Sequence, residues 1–157
     1  MKELEFFKEQ CEDLLKWEVD KDLYQVSRKE YLQLGLIEEV GELVGKIKRI
    51  FRGEDIPRID VLLEIADVLF NFVLLTDSIK GSETHSERGL FYLAREIGVG
   101  VRDVIAGYPE HREIFYRNLN LLCVGFGSNL HEVMEIGLLK WRDRANRGVT
   151  FGSGDNR

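Results

Sequence analysis

The sequence has little proline and little of the residue pattern typical of β-strands. It contains only two prolines, and few stretches alternate polar and apolar residues with a period of two. Apolar residues instead recur at helical spacing, which predicts an all-α fold. The 157 residues are long enough for a substantial core and are most simply one domain, residues 1–157.

Cysteine and net positive charge are also scarce. Cys11 and Cys123 stand alone, without the spacing of a metal or redox motif, so we interpret them as reduced thiols. A net charge of −6 disfavours a protein that coats a nucleic-acid polymer. No apolar run reaches membrane-spanning length without an acidic residue, and the N-terminus is unlike a signal peptide. We therefore expect a cytoplasmic protein without membrane or nucleic-acid polymer partners.

The apolar pattern predicts a bundle of about five to six helices. Their approximate boundaries are 2–20, 28–51, 58–80, 84–106, 109–124 and 129–146. Ser27 with Glu30 forms a capping-box pattern, and Ser128 or Asn129 can cap the last helix. The polar segment 82–87 is expected to be a loop, and the tail 148–157 to fray.

The third predicted helix carries a narrow polar stripe on an otherwise apolar surface. The stripe consists of Asp60, Glu64, Asp67 and Asn71. A second stripe follows one edge of the preceding helix and consists of Gly35, Glu39, Glu42 and Lys46. The connection RGEDIP is short, which predicts antiparallel packing of the two helices with the stripes facing each other.

Such packing would bring together four carboxylates, with a fifth beside them. The set is Glu39, Glu42, Glu64 and Asp67, with Glu38 adjacent in sequence. Oxygen ligands of this kind suit Mg²⁺ and also Mn²⁺. Glu38 or Glu39 is a candidate to orient or deprotonate a water molecule at that cation. The alternative is an acidic helix edge exposed to solvent.

Other site chemistries fit the sequence less well. A di-iron carboxylate bundle needs Glu-x-x-His pairs, whereas Glu42 and Asp67 stand where histidine would be required. The three histidines are scattered. Neither Gly98-Val99-Gly100 nor Gly125-Phe126-Gly127 has the third glycine of a dinucleotide-binding loop.

Two basic groups are candidates to hold phosphates, although most of their members also suit a solvated helix face. The first comprises Lys46, Lys48, Arg49 and Arg52, and the second Lys140, Arg142, Arg144 and Arg147. Lys46 and Arg49 are the substrate-binding candidates of the first group. Trp17, Tyr24 and Trp141 are either core residues or platforms for a base, and amphipathic spacing favours the core.

These residues resemble a known family. The pattern Glu38-Glu39-x-x-Glu42, then Glu64-x-x-Asp67, resembles the EExxE…ExxD pattern of the MazG-like all-α nucleoside triphosphate pyrophosphohydrolases. The stretches GLIEEVGELVGKIKRIFRG and EIADVLFNFVLL resemble the two metal-binding helices of that family. The clear similarity covers residues 31–75, and LLKWRDRANRG resembles a later Lys-x-x-x-Arg element.

The resemblance implies hydrolysis of a (d)NTP to the monophosphate and pyrophosphate with Mg²⁺. Glu39, Glu42, Glu64 and Asp67 would be the metal ligands, with Glu38 an additional ligand or water-positioning acid. Lys140 and Arg144 would contact phosphates, and Asn71 the sugar or base. Members of the family are typically homodimers or tetramers, so a homo-oligomer is expected.

Alternatives within and outside this superfamily stay open at the sequence level. They are a dUTP- or dCTP-type pyrophosphatase, a phosphoribosyl-ATP pyrophosphohydrolase, for which the chain is long, and a non-catalytic helical module that binds nucleotides. No motif identifies the preferred base or sugar.

Overall fold

The protein is an all-helical bundle. In a computed structural model, residues 2–19, 28–76 and 89–148 are described, and no strand occurs among them. Their six helices are α1 (Lys2–Val19), α2 (Arg28–Phe51), α3 (Arg58–Leu75), α4 (Leu90–Ala106), α5 (Pro109–Gly125) and α6 (Leu130–Asn146). The predicted fold class and number of helices are confirmed.

Helix α3 lies at the centre of the bundle. It packs against α1, α2, α5 and α6, while α4 packs against α2 and α5. Its apolar residues are buried on nearly every side, as expected for a helix without a wide polar face. Aromatic contacts join it to its neighbours: the ring centroids of Phe72 and Phe115 are 5.0 Å apart, and those of Phe70 and Trp141 are 4.6 Å apart. Two polar residues of α3, Glu64 and Asn71, are therefore buried within the bundle.

Helices α2 and α3 form an antiparallel pair. Gly53 follows α2 with φ of 87°, a conformation that favours glycine, and its backbone N–H donates to the carbonyl of Ile50 at 2.9 Å. Pro57 immediately precedes α3. The short connection between these residues reverses the chain, and the predicted facing of the two polar stripes follows from it.

The junction of α5 and α6 is fastened to the start of α3. The Arg58 guanidinium donates from Nε to the Phe126 carbonyl at 2.6 Å and from Nη2 to the Gly127 carbonyl at 2.7 Å. Asn129 caps α6, since its side-chain oxygen accepts from the Glu132 backbone N–H at 2.9 Å. These contacts fix where α6 begins relative to α3.

Two predicted helix boundaries are wrong. Helix α3 ends at Leu75 and not near residue 80, because Thr76 is extended and its hydroxyl donates to the Phe72 carbonyl at 3.0 Å. Helix α4 begins at Leu90 and not near residue 84, because Gly89 is extended. The Ser27 cap, the loop 82–87 and the tail 149–157 lie outside the described residues.

The two cysteines are core residues. Cys11 and Cys123 are buried free thiols. Burial raises the pKa of Cys123 to about 12 and also raises the pKa of Cys11. Neither thiol therefore ionises readily to a nucleophilic thiolate. Within the described part of the chain, no helix combines the length and hydropathy needed to cross a membrane.

Candidate functional site

Three carboxylates meet where α2 faces α3. Glu39 on α2 and Glu64 and Asp67 on α3 each place one oxygen within 4.8 Å of the other two. Flanking contacts have the same antiparallel register: Gly35 lies against Asn71, and the Lys46 ammonium donates to the Asp60 carbonyl at 3.3 Å. The facing stripes predicted from the sequence therefore do converge.

Two lysines partly neutralise this acidic cluster. The Lys46 ammonium lies 2.6 Å from Glu64 Oε1, and the Lys140 ammonium lies 2.6 Å from Asp67 Oδ2. Glu64 is only 2% exposed, so its pairing with Lys46 offsets much of the cost of removing the charge from water. If all five side chains are ionised, the set keeps one net negative charge.

The remaining charge is reflected in the titration of Glu39. Burial, together with the nearby carboxylates of Asp67, Glu64, Glu42 and Glu38, raises its pKa to about 8. Burial also raises the pKa of Glu64, against the opposing effect of the Lys46 ammonium. Without a cation, Glu39 is therefore mostly protonated at neutral pH, which leaves the five side chains close to neutral, and its ionisation at higher pH adds a negative charge that has no partner among them.

We expect the cation-free protein to lose stability as the pH rises. Glu39 holds its proton more tightly in the folded chain, where its pKa is about 8, than at its ordinary value of 4.5. The stability that this tighter proton binding gives to the folded protein is complete below pH 4.5 and is lost as the pH rises through about 8. One pKa unit corresponds to about 1.4 kcal/mol, so the loss should reach a few kcal/mol at most.

Urea unfolding in a chelator, from about pH 5 to about pH 8.5, measures this loss. The Glu39→Gln variant should be progressively more stable than the parent protein as the pH increases, because its amide does not ionise. Parallel stability curves for the two proteins would contradict the assignment.

Asp67 is held by three side chains from two helices. The Trp141 indole Nε1–H donates to Asp67 Oδ1 at 2.8 Å, and Lys140 donates to Oδ2. Asn71 donates from Nδ2 to the Asp67 backbone carbonyl at 3.2 Å. Trp141 is 1% exposed, so it is a core residue and not a platform for a base. Both carboxylate oxygens of Asp67 therefore have a fixed direction.

Two glycines allow this close packing. A Cβ at Gly35 would lie 2.5 Å from Asn71 Oδ1, and a Cβ at Gly137 would lie 2.8 Å from the Ala66 Cβ. Gly35 thus leaves room for the Asn71 amide, whereas Gly137 lets α6 approach α3 closely enough for Trp141 to reach Asp67. Neither the role of Gly137 nor the contact of Trp141 with Asp67 is evident from the sequence, because no short-range spacing relates α6 to α3.

A basic cavity opens beside the carboxylates. Its volume is about 350 Å³, and its charged lining consists of Lys46, Lys140, Arg144 and Arg147 together with Asp60 and Asp143, the second of which pairs with Arg147 at 2.7 Å. Arg144 is only 9% exposed although it carries a charge. Lys46 of the first basic group therefore shares one cavity with Lys140, Arg144 and Arg147 of the second group. Lys46 and Lys140 also contact the acids.

Other predicted site residues lie further out. Glu38 and Glu42 are exposed, although their charges are felt by Glu39. Arg49 is exposed and donates from Nε to Glu54 Oε2 at 2.7 Å, so the structure does not bring it to the basic cavity. The side chains of Trp17 and Tyr24 lie outside the described residues.

The acidic cluster fits a divalent cation chemically. All three groups are oxygen donors, which Mg²⁺ prefers. On one octahedral Mg²⁺ with bonds of about 2.1 Å, adjacent ligands are about 3.0 Å apart and opposite ligands about 4.2 Å. Oxygens that lie up to 4.8 Å apart would therefore have to move inward to bind one cation together. A cation would also relieve the repulsion that raises the pKa of Glu39.

Comparisons of the chain with protein-family models, with curated proteins and with solved structures gave no match.

Proposed function

We propose that the protein is a Mg²⁺-dependent nucleoside triphosphate pyrophosphohydrolase that converts a (d)NTP to the (d)NMP and pyrophosphate. The observation that best supports this proposal is the convergence of Glu39, Glu64 and Asp67 beside a cavity rich in cations. An oxygen-ligand cluster next to ammonium and guanidinium groups suits a metal-bound polyphosphate. The resemblance to the MazG-like family implies the same activity.

In this proposal the carboxylates hold the cation, which when bound would neutralise phosphate charge and acidify a water ligand. Lys46, Lys140 and Arg144 bind phosphate oxygens in the basic cavity. Attack of water on phosphorus breaks the bridging P–O bond between the α- and β-phosphates, and pyrophosphate leaves. The water gives up a proton, for which Glu38 or Glu39 is the acceptor.

The outer residues have secondary roles in the same proposal. Glu42 is an additional ligand at the exposed rim, and Asn71 contacts the sugar or base. Asn71 is 7% exposed, its Nδ2 donates to the Asp67 backbone carbonyl and its Oδ1 lies against Gly35, so contact with a sugar or base requires the amide to turn away from α2. Mn²⁺ would fit the same oxygen donors as Mg²⁺.

A non-catalytic module is the alternative that a specific observation favours. Lys46 and Lys140 already pair with Glu64 and Asp67, so a network of ion pairs could stabilise the bundle without any cation. The two proposals differ in one measurable property, since only the enzyme releases pyrophosphate.

Pyrophosphate release from a panel of nucleotides tests the function. The pure protein is incubated with standard and damaged (d)NTPs, including dUTP and dCTP, and with phosphoribosyl-ATP, each with Mg²⁺ and with chelator. We expect turnover of at least one triphosphate that needs Mg²⁺ and yields the monophosphate. Absence of turnover for the whole panel would reject the enzyme and favour the non-catalytic module.

Removal of the indole donor should weaken cation binding. In Trp141→Phe the ring stays in the core, but Asp67 Oδ1 loses its 2.8 Å hydrogen bond. Loss of a group that orients a ligand typically weakens metal binding about 10- to 100-fold, so we expect at least about a tenfold increase in the Mg²⁺ Kd. Calorimetric titration measures it, with circular dichroism as the check on folding. An unchanged Kd in a folded variant would contradict an orienting role.

We further propose that the chain forms a homodimer or a tetramer. The support is a pair of exposed apolar side chains one turn apart on α2, Leu34 at 61% exposed and Ile37 at 50% exposed. Leu34→Glu with Ile37→Glu should shift the mass measured by light scattering towards the monomer. Val124→Glu, at another exposed apolar position, is the control and should leave the mass unchanged.

A further inference from the structure

A second cavity lies at the other end of the α2–α3 pair. It has a volume of about 420 Å³ and is formed by the start of α2, the end of α3, the end of α4 and the first turns of α5. Leu32 on α2 lines it and is seven positions from Glu39, which corresponds to about 10 Å along a helix. The cavity is therefore separate from the acidic cluster.

The walls of this second cavity are apolar and its edge is basic. Leu32, Leu74 and Val104 contribute buried hydrocarbon. The charged side chains that line it are Arg28, Lys29 and Arg112, and none of the described lining residues is acidic. Arg28 pairs with Glu12, which does not line the cavity. In a chain with a net charge of −6, a cavity whose charged lining among the described residues is basic favours an anionic ligand.

Arg112 adds an independent observation. Its Nε is buried and has no hydrogen-bond partner among the described residues. A buried guanidinium donor without an acceptor is costly, and an anionic ligand would supply the missing acceptor. Gln33 also lines the cavity; its Nε2 donates to the Ile105 carbonyl at 3.4 Å, which leaves the amide oxygen able to accept.

We propose that the second cavity binds a small organic anion. The apolar ring or chain of the ligand lies against Leu32, Leu74 and Val104, and its phosphate, sulfonate or carboxylate pairs with Arg112 and the basic edge. The volume is within the range of about 300–1,000 Å³ that is typical of small-molecule sites. This site is independent of the proposed hydrolase activity and needs no divalent cation.

Fluorescence titration with 1-anilinonaphthalene-8-sulfonate tests the proposal, since this dye joins an aromatic body to a sulfonate. The full chain is titrated in chelator. We expect one saturable site, at least about a tenfold weaker Kd in Arg112→Gln, and no change in Asp67→Asn. Arg102→Gln is the matched control, because Arg102 is an exposed arginine on α4 that does not line the cavity.

A second variant fills the space without removing charge. Ala106 lines the cavity and is exposed, so Ala106→Trp should place an indole in it and reduce dye binding while the protein stays folded. Competition then distinguishes the two kinds of ligand: a nucleoside monophosphate displaces the dye if the site takes a ring, and octanoate if it takes a chain. Dye binding that is unaffected by Arg112→Gln and Ala106→Trp, or displacement by neither competitor, would overturn the proposal.

Discussion

Asp67→Asn is expected to lower Mg²⁺-dependent pyrophosphate release by at least about a hundredfold, since replacing even an outer group that supports a ligand costs about 10- to 100-fold. Asparagine has nearly the same shape and can still accept the Trp141 hydrogen bond through its amide oxygen. It lacks the negative charge that the cation requires. The variant therefore separates the charge of Asp67 from its place in the packing.

The fold should survive this change. Removing one of three clustered carboxylates lowers the repulsion on Glu39, which offsets part of the lost pairing with Lys140. Helical content by circular dichroism should match that of the parent protein. Asp55→Asn is the control, because Asp55 is exposed in the connection between α2 and α3. Full activity in Asp67→Asn would show that Asp67 is not a ligand; equal losses in both variants would show a non-specific charge effect.

The sequence predicts the α2–α3 half of the site well because local rules determine it. Helical periodicity aligns the polar stripes, and the short connection imposes the antiparallel register that pairs Glu39 with Asp67. The approach of α6 follows no such rule. Trp141 and Asp67 are far apart in sequence, and their hydrogen bond depends on how closely Gly137 lets two helices pack.

Tertiary packing also explains why Glu39 and Glu42 differ in exposure while Glu64 and Asp67 both lie inside the protein. Residues three positions apart on a helix differ in direction by about 60°. On α3, which is surrounded by other helices, both Glu64 and Asp67 still lie inside the protein. On α2 the same change of direction leaves Glu39 half-buried but takes Glu42 into solvent. Sequence spacing alone predicts the same burial for the pair on α2 and the pair on α3. Only the packing of the surrounding helices distinguishes the two pairs.

Arg49 shows how a connection redirects a side chain. Arg49 follows Lys46 by three positions, so the helical pattern places both near one face of α2, and both are suitable for phosphate binding. After Gly53 the chain turns back, and Glu54 meets the Arg49 guanidinium. Lys46, by contrast, faces α3 and pairs with Glu64. The position of a charged side chain thus depends on the acid nearest to it in the folded chain.

Gly137→Ala should destabilise the protein although alanine is the better helix former. The new methyl group would lie 2.8 Å from the Ala66 Cβ and 3.0 Å from Trp141 Cη2. The first of these neighbours cannot rotate away, so α6 must move away from α3. Overpacking of this kind costs about 1–3 kcal/mol, and for a chain of this size each kcal/mol lowers the Tm by about 2–4 °C.

Gly41→Ala is the matched control with the opposite sign. Gly41 is in the interior of α2, is exposed, and a Cβ there would meet no atom within 4 Å. Its replacement should stabilise the protein by up to about 1 kcal/mol through helix propensity alone. Thermal unfolding of both variants gives the comparison. Because movement of α6 also draws Trp141 and Lys140 away from Asp67, Gly137→Ala should weaken Mg²⁺ binding as well, whereas Gly41→Ala should leave it unchanged. A stabilised Gly137→Ala variant would show that α6 and α3 are not held at this close distance.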